Sequence, residues 1–383
     1  MIEMKLEKVS EILDLAYEMR LKKFENITVH LIGPPGVGKS TIVRDWAEDK
    51  ARKLGKEFVD YALLSPDDVE KILGNPSKYF IFYDCRLTSM DPVDLSGVPR
   101  PVNGSKYVMF LPLAAAQLLG KCAGIMFLDE FLNETRPQML SAAFKIVRDY
   151  KIGDIALNEE AIVVAASNGA QYSSLVGRLP KPLRSRFNFI EVDPPSIQSW
   201  IEWMDRRYPG KWDKNVAAYF MWKPSDFLAN VDEGVDDNGY EPPSDPRGVT
   251  YVALAFAIVK DRETRGCIAR GKLGRVGDML MAFLENKIPS FEELCSRPEQ
   301  VADYNVERKY LVAVTVAEAV NANIENIHKA MPLIKFIAEK DDREFAVALF
   351  NFLKRERRWE VFPILKKDEK ITKLLSRAGQ ALQ

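Results

Sequence analysis

The chain has 383 residues, 47% of them hydrophobic, with 54 Lys and Arg against 55 Asp and Glu. That length supports two or three domains and a core that needs no staples, so a disulfide scaffold is excluded. The balanced charge excludes a global field drawing the protein onto nucleic acid or an anionic membrane, although a local basic groove stays open. Four scattered cysteines (Cys85, Cys122, Cys267, Cys295), with only His30 and His328 besides, argue against zinc and for packed, reduced thiols in a cytoplasmic protein. The mixture of Glu3, Lys5, Glu7 and Lys8 with apolar residues is unlike a signal peptide, and no apolar stretch approaches a membrane span.

Leu6, Val9, Ile12, Leu13, Ala16 and Met19 recur at helical spacing and predict a leading amphipathic helix. Ile27 to Ile32 is a β-branched apolar run and reads as a buried strand. Directly after it comes Gly33-Pro34-Pro35-Gly36-Val37-Gly38-Lys39-Ser40, a complete G-x-x-x-x-G-K-S phosphate-binding loop, and Thr41 to Ala47 continues as a helix. Strand, glycine loop and helix are the context this motif requires. The glycines let the backbone turn tightly and bring N–H groups close to phosphates, and the helix N-terminus adds its positive end. Lys39 would reach the β- and γ-phosphates of ATP, and the Ser40 hydroxyl would sit on Mg2+, with Thr41 beside it.

Further strands are predicted at 80–83, 125–128, 161–166 and 187–192, alternating with helical segments, which indicates an α/β fold with a parallel sheet covered on both faces. The strand at 125–128 ends in Asp129-Glu130. Asp129 would hold Mg2+ opposite Ser40, and Glu130 would polarise the water attacking the γ-phosphate, although carboxylates also suit a helix start there. The next strand ends in Ser167-Asn168. Asn168 could orient the lytic water, or simply form a turn before Gly169. Arg184 and Arg186, in Leu183-Arg184-Ser185-Arg186-Phe187, are candidates either for a finger reaching a neighbouring subunit's γ-phosphate or for surface ion pairs. From Ser196 onward the pattern is helical. An acidic, Gly- and Pro-rich loop at 230–246 leads to Pro243-Ser244-Asp245-Pro246-Arg247, where Arg247 heads a helix and could sense phosphates or merely follow a turn.

The order of these five signals resembles the AAA+ ATPases and, within them, the MoxR-type branch, over roughly residues 27 to 290. The family's Walker A is similar to Gly33–Ser40 and its Walker B to Ile125–Glu130. Asn168 corresponds to sensor 1, Arg186 (with Arg184 second) to the finger, and Arg247 to sensor 2. The segment Asp91 to Pro99 is similar to one this branch carries after its second strand. Two departures stand out: the turn 131–137 is one residue longer than usual, leaving the role of Arg136 open, and Asp245 replaces the commoner Ser.

Helical apolar stripes at 291–383 mark a further region outside the resemblance, which itself implies a nucleotide-binding core, set at 1–193, and a helical lid at 194–290. It also implies a ring, most often of six subunits, that hydrolyses ATP with Mg2+ between protomers to remodel or mature a protein client, often with a von Willebrand A-type partner. Asn103-Gly104 and Gly153-Asp154 mark two hairpin turns, which the resemblance places toward the pore or the partner. The alternative is a motor or restriction-type subunit linked to nucleic acid. Against it stands the near-neutral charge, with Lys354 to Trp359 the one local basic cluster.

Overall fold

The apolar runs pair into one parallel sheet in the computed structural model, which describes residues 3–5, 8–24, 28–101, 108–169, 181–229 and 242–380. In chain order the strands are β1 (Glu3–Lys5), β2 (Thr28–Gly33), β3 (Glu57–Asp60), β4 (Tyr79–Arg86), β5 (Val98–Pro101), β6 (Val108–Leu111), β7 (Ala123–Asp129), β8 (Lys151–Ile152), β9 (Ile155–Ala156), β10 (Ala161–Asn168) and β11 (Phe187–Asp193). Seven of them form the sheet in the order β1-β11-β2-β10-β7-β4-β3, and every neighbouring pair is parallel. β5–β6 and β8–β9 are separate antiparallel hairpins.

Successive side chains on these strands point to opposite faces, and both faces are covered, which is why the runs read as continuously apolar. Helices α1 (Val9–Leu21) and α2 (Lys39–Lys53) cover one face. There Val9, Leu13, Val43 and Trp46 pack on Val29, Leu31, Phe80, Phe82, Phe127 and Val164. The other face carries α3 (Pro66–Gly74), α4 (Pro92–Ser96), α5 (Ala114–Lys121), α6 (Pro137–Asp149) and α7 (Lys181–Arg184). Ile81, Tyr83, Met126, Leu128 and Val163 meet Leu118, Leu119, Met139 and Ile146 there. Burial pushes the Cys85 thiol up to about 12 and that of Cys122 to about 11, whereas Cys267 is exposed, so not every thiol is packed away.

The chain divides into two compact units, Met1–Pro194 and Pro195–Gln383. The second is helical: α8 (Ile197–Arg207), α9 (Lys214–Trp222), α10 (Pro246–Ile258), α11 (Arg262–Leu273), α12 (Arg275–Leu284), α13 (Phe291–Ser296), α14 (Val306–Ala322), α15 (Asn326–Glu339), α16 (Arg343–Phe352), α17 (Arg355–Leu365) and α18 (Glu369–Gln380). One apolar cluster runs from Trp200 to Leu374, so helices on both sides of residue 290 share a core. Side chains of Asp245, Asp261, Ser290, Asn305 and Asp342 each accept a backbone N–H three residues on, capping α10, α11, α13, α14 and α16. Each such cap contributes about 1 kcal/mol.

The basic cluster lies on α17. Arg357 pairs with Glu360, while Arg358 turns back onto Glu202 (3.3 Å) and the carbonyls of Leu353 and Asn351. Among the described residues no helix is long and apolar enough to cross a membrane.

Candidate functional site

In a parallel sheet the carboxyl ends of the strands share one edge, where ligands bind in open α/β folds. The glycine loop leaves the carboxyl end of β2, the strand between β10 and β11. Gly36 (φ 74°) and Gly38 (φ 102°) adopt left-handed backbone, open to glycine without the Cβ penalty. Gly33 is needed for another reason: a Cβ there would lie 2.7 Å from the Val192 carbonyl oxygen on β11. Gly38 is the N-cap of α2, with no side-chain cap and no acidic residue in the first turn. The first N–H groups of a 15-residue helix are thereby left for an anion.

The Lys39 ammonium is buried and donates to the carbonyls of Gly33 (2.9 Å) and Pro34 (2.7 Å) and to Asn168 Oδ1 (3.1 Å). Asn168 is in register with Gly33 across the β10–β2 pair, which explains the last contact. Ser40 Oγ donates to Asp129 Oδ2 at 3.0 Å, bringing the hydroxyl and carboxylate expected of a Mg2+ site into contact. Hard oxygen donors beside a phosphate cradle suit Mg2+, which takes a few protein oxygens and keeps its waters. Asp129 Oδ1 accepts the Glu130 N–H (3.0 Å). Glu130 itself sits in left-handed backbone, φ 54°, a conformation that costs a non-glycine residue about 1–3 kcal/mol and concentrates at functional sites. Its carboxylate has no hydrogen-bond partner among the described residues, so it is available to a substrate or water.

The structure thus gathers Gly33, Pro34, Gly38, Lys39, Ser40, Asp129, Glu130 and Asn168 at one edge. Arg184 ends α7 and Arg186 lies just before β11. Both are exposed, and neither guanidinium has a partner among the described residues. Arg247 is the second residue of α10 in the helical unit, behind the Asp245 cap that accepts the Gly248 N–H at 2.6 Å. That cap gives Asp245 a local reason to stand where Ser is commoner. The Asn103-Gly104 turn lies outside the described residues, but β5 and β6 pair on either side of it, from Val98↔Leu111 to Pro101↔Val108.

Sequence reasoning gave no part here to Arg86 or His30 and left the role of Arg136 open. Arg86, at the carboxyl end of β4, stands 3.8 Å from Asp129 Oδ2. Arg136 makes a two-pronged pair with the buried Glu134 (3.0 and 2.7 Å) and donates to the carbonyls of Leu87 (2.7 Å) and Met90 (2.8 Å). It therefore ties the turn after Asp129-Glu130 to the segment leading into α4. His30 is wholly buried, 2.9 Å from Ser167 Oγ, which also accepts the Leu132 N–H at 3.0 Å. The available signal was one histidine in a strand that is apolar but for Thr28.

No protein-family model and no curated protein matches the chain. Among solved structures it is similar to the RuvB Holliday junction branch migration motor of Thermotoga maritima, at 17% identity and TM-score 0.29, covering 78% of this chain and 76% of that one. It is also similar to the ORC2 protein of Aeropyrum pernix in ADPNP and ADP complexes, at 13% identity, TM-score 0.38 and coverages of 94% and 84%. Hsp104 with ATPγS and FITC casein matches at 15% identity and TM-score 0.33, over 54% of this chain and 37% of that one. These neighbours are AAA+ ATPases. With every one of these scores below 0.5, the functional reading rests on the chain's own residues. Its fold is α/β, with the Gly33–Ser40 glycine loop at the carboxyl edge of a parallel sheet.

Proposed function

We propose that the chain is an AAA+ ATPase of the MoxR type that binds ATP with Mg2+ and hydrolyses it where protomers of a ring meet. The observation that carries this reading is the convergence at one sheet edge: Ser40 Oγ on Asp129 at 3.0 Å, and the Lys39 ammonium on Asn168 at 3.1 Å. Gly33, Pro34, Pro35, Gly36, Val37 and Gly38 wrap the phosphates, and Lys39 exchanges its carbonyl contacts for phosphate oxygens. Ser40 and Asp129 would hold Mg2+, which supplies charge neutralisation to the phosphates. Thr41 lies in the first turn of α2. Glu130 orients and deprotonates the attacking water, and Asn168, with its oxygen committed to Lys39, presents its NH2 group toward that water. The exposed Arg186, or Arg184 two residues before it, serves the adjoining protomer's site, where a guanidinium stabilises charge on the transferred group.

On this reading the helices up to residue 290, with Arg247 at the head of α10, form the lid, and those from 291 on are accessory. The ring is most simply a hexamer. Its client is a protein, with a von Willebrand A-type partner in attendance. Val98, Val108, Met109, Phe110 and Leu111 of the β5–β6 hairpin are all exposed, which supports a protein-facing role for that hairpin. The nucleic-acid alternative is weakened at its local cluster, because Arg357 and Arg358 are paired within the helical unit.

The test is direct. Lys39→Ala should abolish ATP binding by equilibrium dialysis. Glu130→Gln should bind ATP as the wild type does while turnover falls at least about 100-fold, the scale of a lost general base. Rapid turnover by Glu130→Gln would show the carboxylate to be misassigned.

A further inference from the structure

β2 carries two buried polar side chains, Thr28, whose hydroxyl donates to the Val147 carbonyl at 3.3 Å, and His30, whose pairing is incomplete among the described residues. His30 points to the face of the sheet that carries α6, against the rings of Phe131, Phe187 and Phe189 at centroid distances of 5.7, 4.8 and 5.1 Å. Its Nε2 lies 2.9 Å from Ser167 Oγ, and its Nδ1 has no hydrogen-bond partner among the described residues. A neutral imidazole has one N–H and one acceptor nitrogen. The arrangement that leaves fewest groups unpaired has the Ser167 hydroxyl donate to Nε2, while Ser167 Oγ accepts the Leu132 N–H. Buried polar groups are held to such pairings because an unmade bond costs more than a made one gains.

Each end of this chain of bonds adjoins a residue assigned to hydrolysis. Ser167 precedes Asn168, whose Oδ1 meets Lys39. Leu132 lies in the short turn Phe131–Asn133 that begins at Glu130, and the Asn133 N–H closes that turn onto the Glu130 carbonyl at 2.9 Å. The left-handed backbone at Glu130 is a state its surroundings must impose, and the Leu132 anchor is part of what imposes it. We propose that His30 is a positioning residue for ATP hydrolysis: by accepting the Ser167 hydroxyl it fixes the oxygen that anchors the Leu132 amide, and thereby sets Asn168 and Glu130 at once. This rests on the ATPase reading above.

The test uses the full chain, with His30→Phe, which keeps an aromatic ring among the three phenylalanines, and Ser167→Ala. Turnover in His30→Phe should fall roughly 10- to 100-fold, the scale of an ångström-level misplacement, with ATP affinity within about twofold of wild type. Hydrogen exchange at the Leu132 amide should accelerate in both variants. Because the bonds act in series, the double variant should turn over no more slowly than Ser167→Ala alone. Wild-type turnover and exchange in both variants would overturn the proposal, as would a loss of ATP binding that matches the loss of turnover. If His30→Phe does not fold, Ser167→Ala carries the same outcomes. A wild-type chain that binds ATP but never hydrolyses it would remove the ATPase reading and this proposal together, whereas normal wild-type turnover equalled by the variants would remove this proposal alone.

Discussion

Burial lowers the His30 pKa to about 3, and the sign of the consequence follows from linkage. In the unfolded chain the imidazole takes up a proton as pH falls below roughly 6.5, while in the folded chain it stays neutral down to about 3. Its contribution to stability is therefore fully present above the unfolded value and is lost as pH falls between the two, by about 1.4 kcal/mol per pH unit. Urea melts of His30→Phe between pH 6 and pH 4 should show a shallower loss of stability than wild type by about that slope; equal slopes would mean the ring is protonated in the fold. Glu130 makes the opposite kind of point. Its φ of 54° carries a cost of about 1–3 kcal/mol, so Glu130→Gly should stabilise the chain by about 1 kcal/mol while abolishing turnover. A variant both less stable and inactive would count against strain held for function. At Gly33 the constraint is steric: a Cβ would sit 2.7 Å from Val192 O, so Gly33→Ala should cost about 1–3 kcal/mol and weaken ATP binding with it.

Among elements, the pair Glu134–Arg136 joins the turn after β7 to residues 87–91, immediately before α4 and the β5–β6 hairpin. Hydrogen bonds from the Arg136 side chain hold the Glu134 carboxyl below the usual carboxylate range. Glu134 is 3% exposed, so removing its partner strands a buried charge, which costs about 3–5 kcal/mol in fully buried pairs. Arg136 is itself partly exposed, so Arg136→Gln should lower stability by less than that, with faster amide exchange at 87–91. Unchanged exchange there would show that the carbonyl contacts do not hold the segment. The longer turn left the role of Arg136 open in the sequence, because its partners at Leu87 and Met90 are more than forty residues away and only folding brings them near. The same limit explains the two strands that were not foreseen. β1 (Glu3-Met4-Lys5) and β3 (Glu57-Phe58-Val59-Asp60) are the sheet's edges and too short and polar to carry an apolar run; pairing with β11 and β4 defines them. The five foreseen strands are central, and β7 and β10 above all are buried on both faces and written in near-continuous apolar residues, whereas β11 is buried at Phe187, Ile190 and Val192 with Asn188 exposed between them. Local motifs were legible for the same reason: the glycine loop, Asp129-Glu130 and Asn168 each stand at a strand end that the sequence marks. His30–Ser167 and Arg86–Asp129 were not, since each joins residues from separate strands.

For the whole molecule the open question is whether one chain's site is completed by another chain. Arg184 and Arg186 stand exposed, without a partner among the described residues, and a long cationic side chain left in that state beside a strand end is suited to reach outward. The proposed ring makes this separable from a role within the same chain. A Glu130→Gln protomer has no working site of its own but can lend its arginine; an Arg186→Ala protomer has an intact site but no finger to lend. Each variant alone should be nearly inactive. Mixed in equal amounts and allowed to exchange subunits, they should form interfaces in which an Arg186→Ala site faces a Glu130→Gln neighbour. In a head-to-tail ring assembled at random, roughly a quarter of interfaces are of that kind, so the mixture should regain up to roughly that fraction of wild-type turnover, falling away on dilution below the assembly range. Regained activity assigns the finger to Arg186 in trans. A mixture as inactive as its components, while the same experiment with Arg184→Ala recovers, moves the assignment two residues back along the chain. If neither pairing recovers and wild-type turnover per chain stays constant on dilution, each site is complete within its own protomer and the shared-site reading fails.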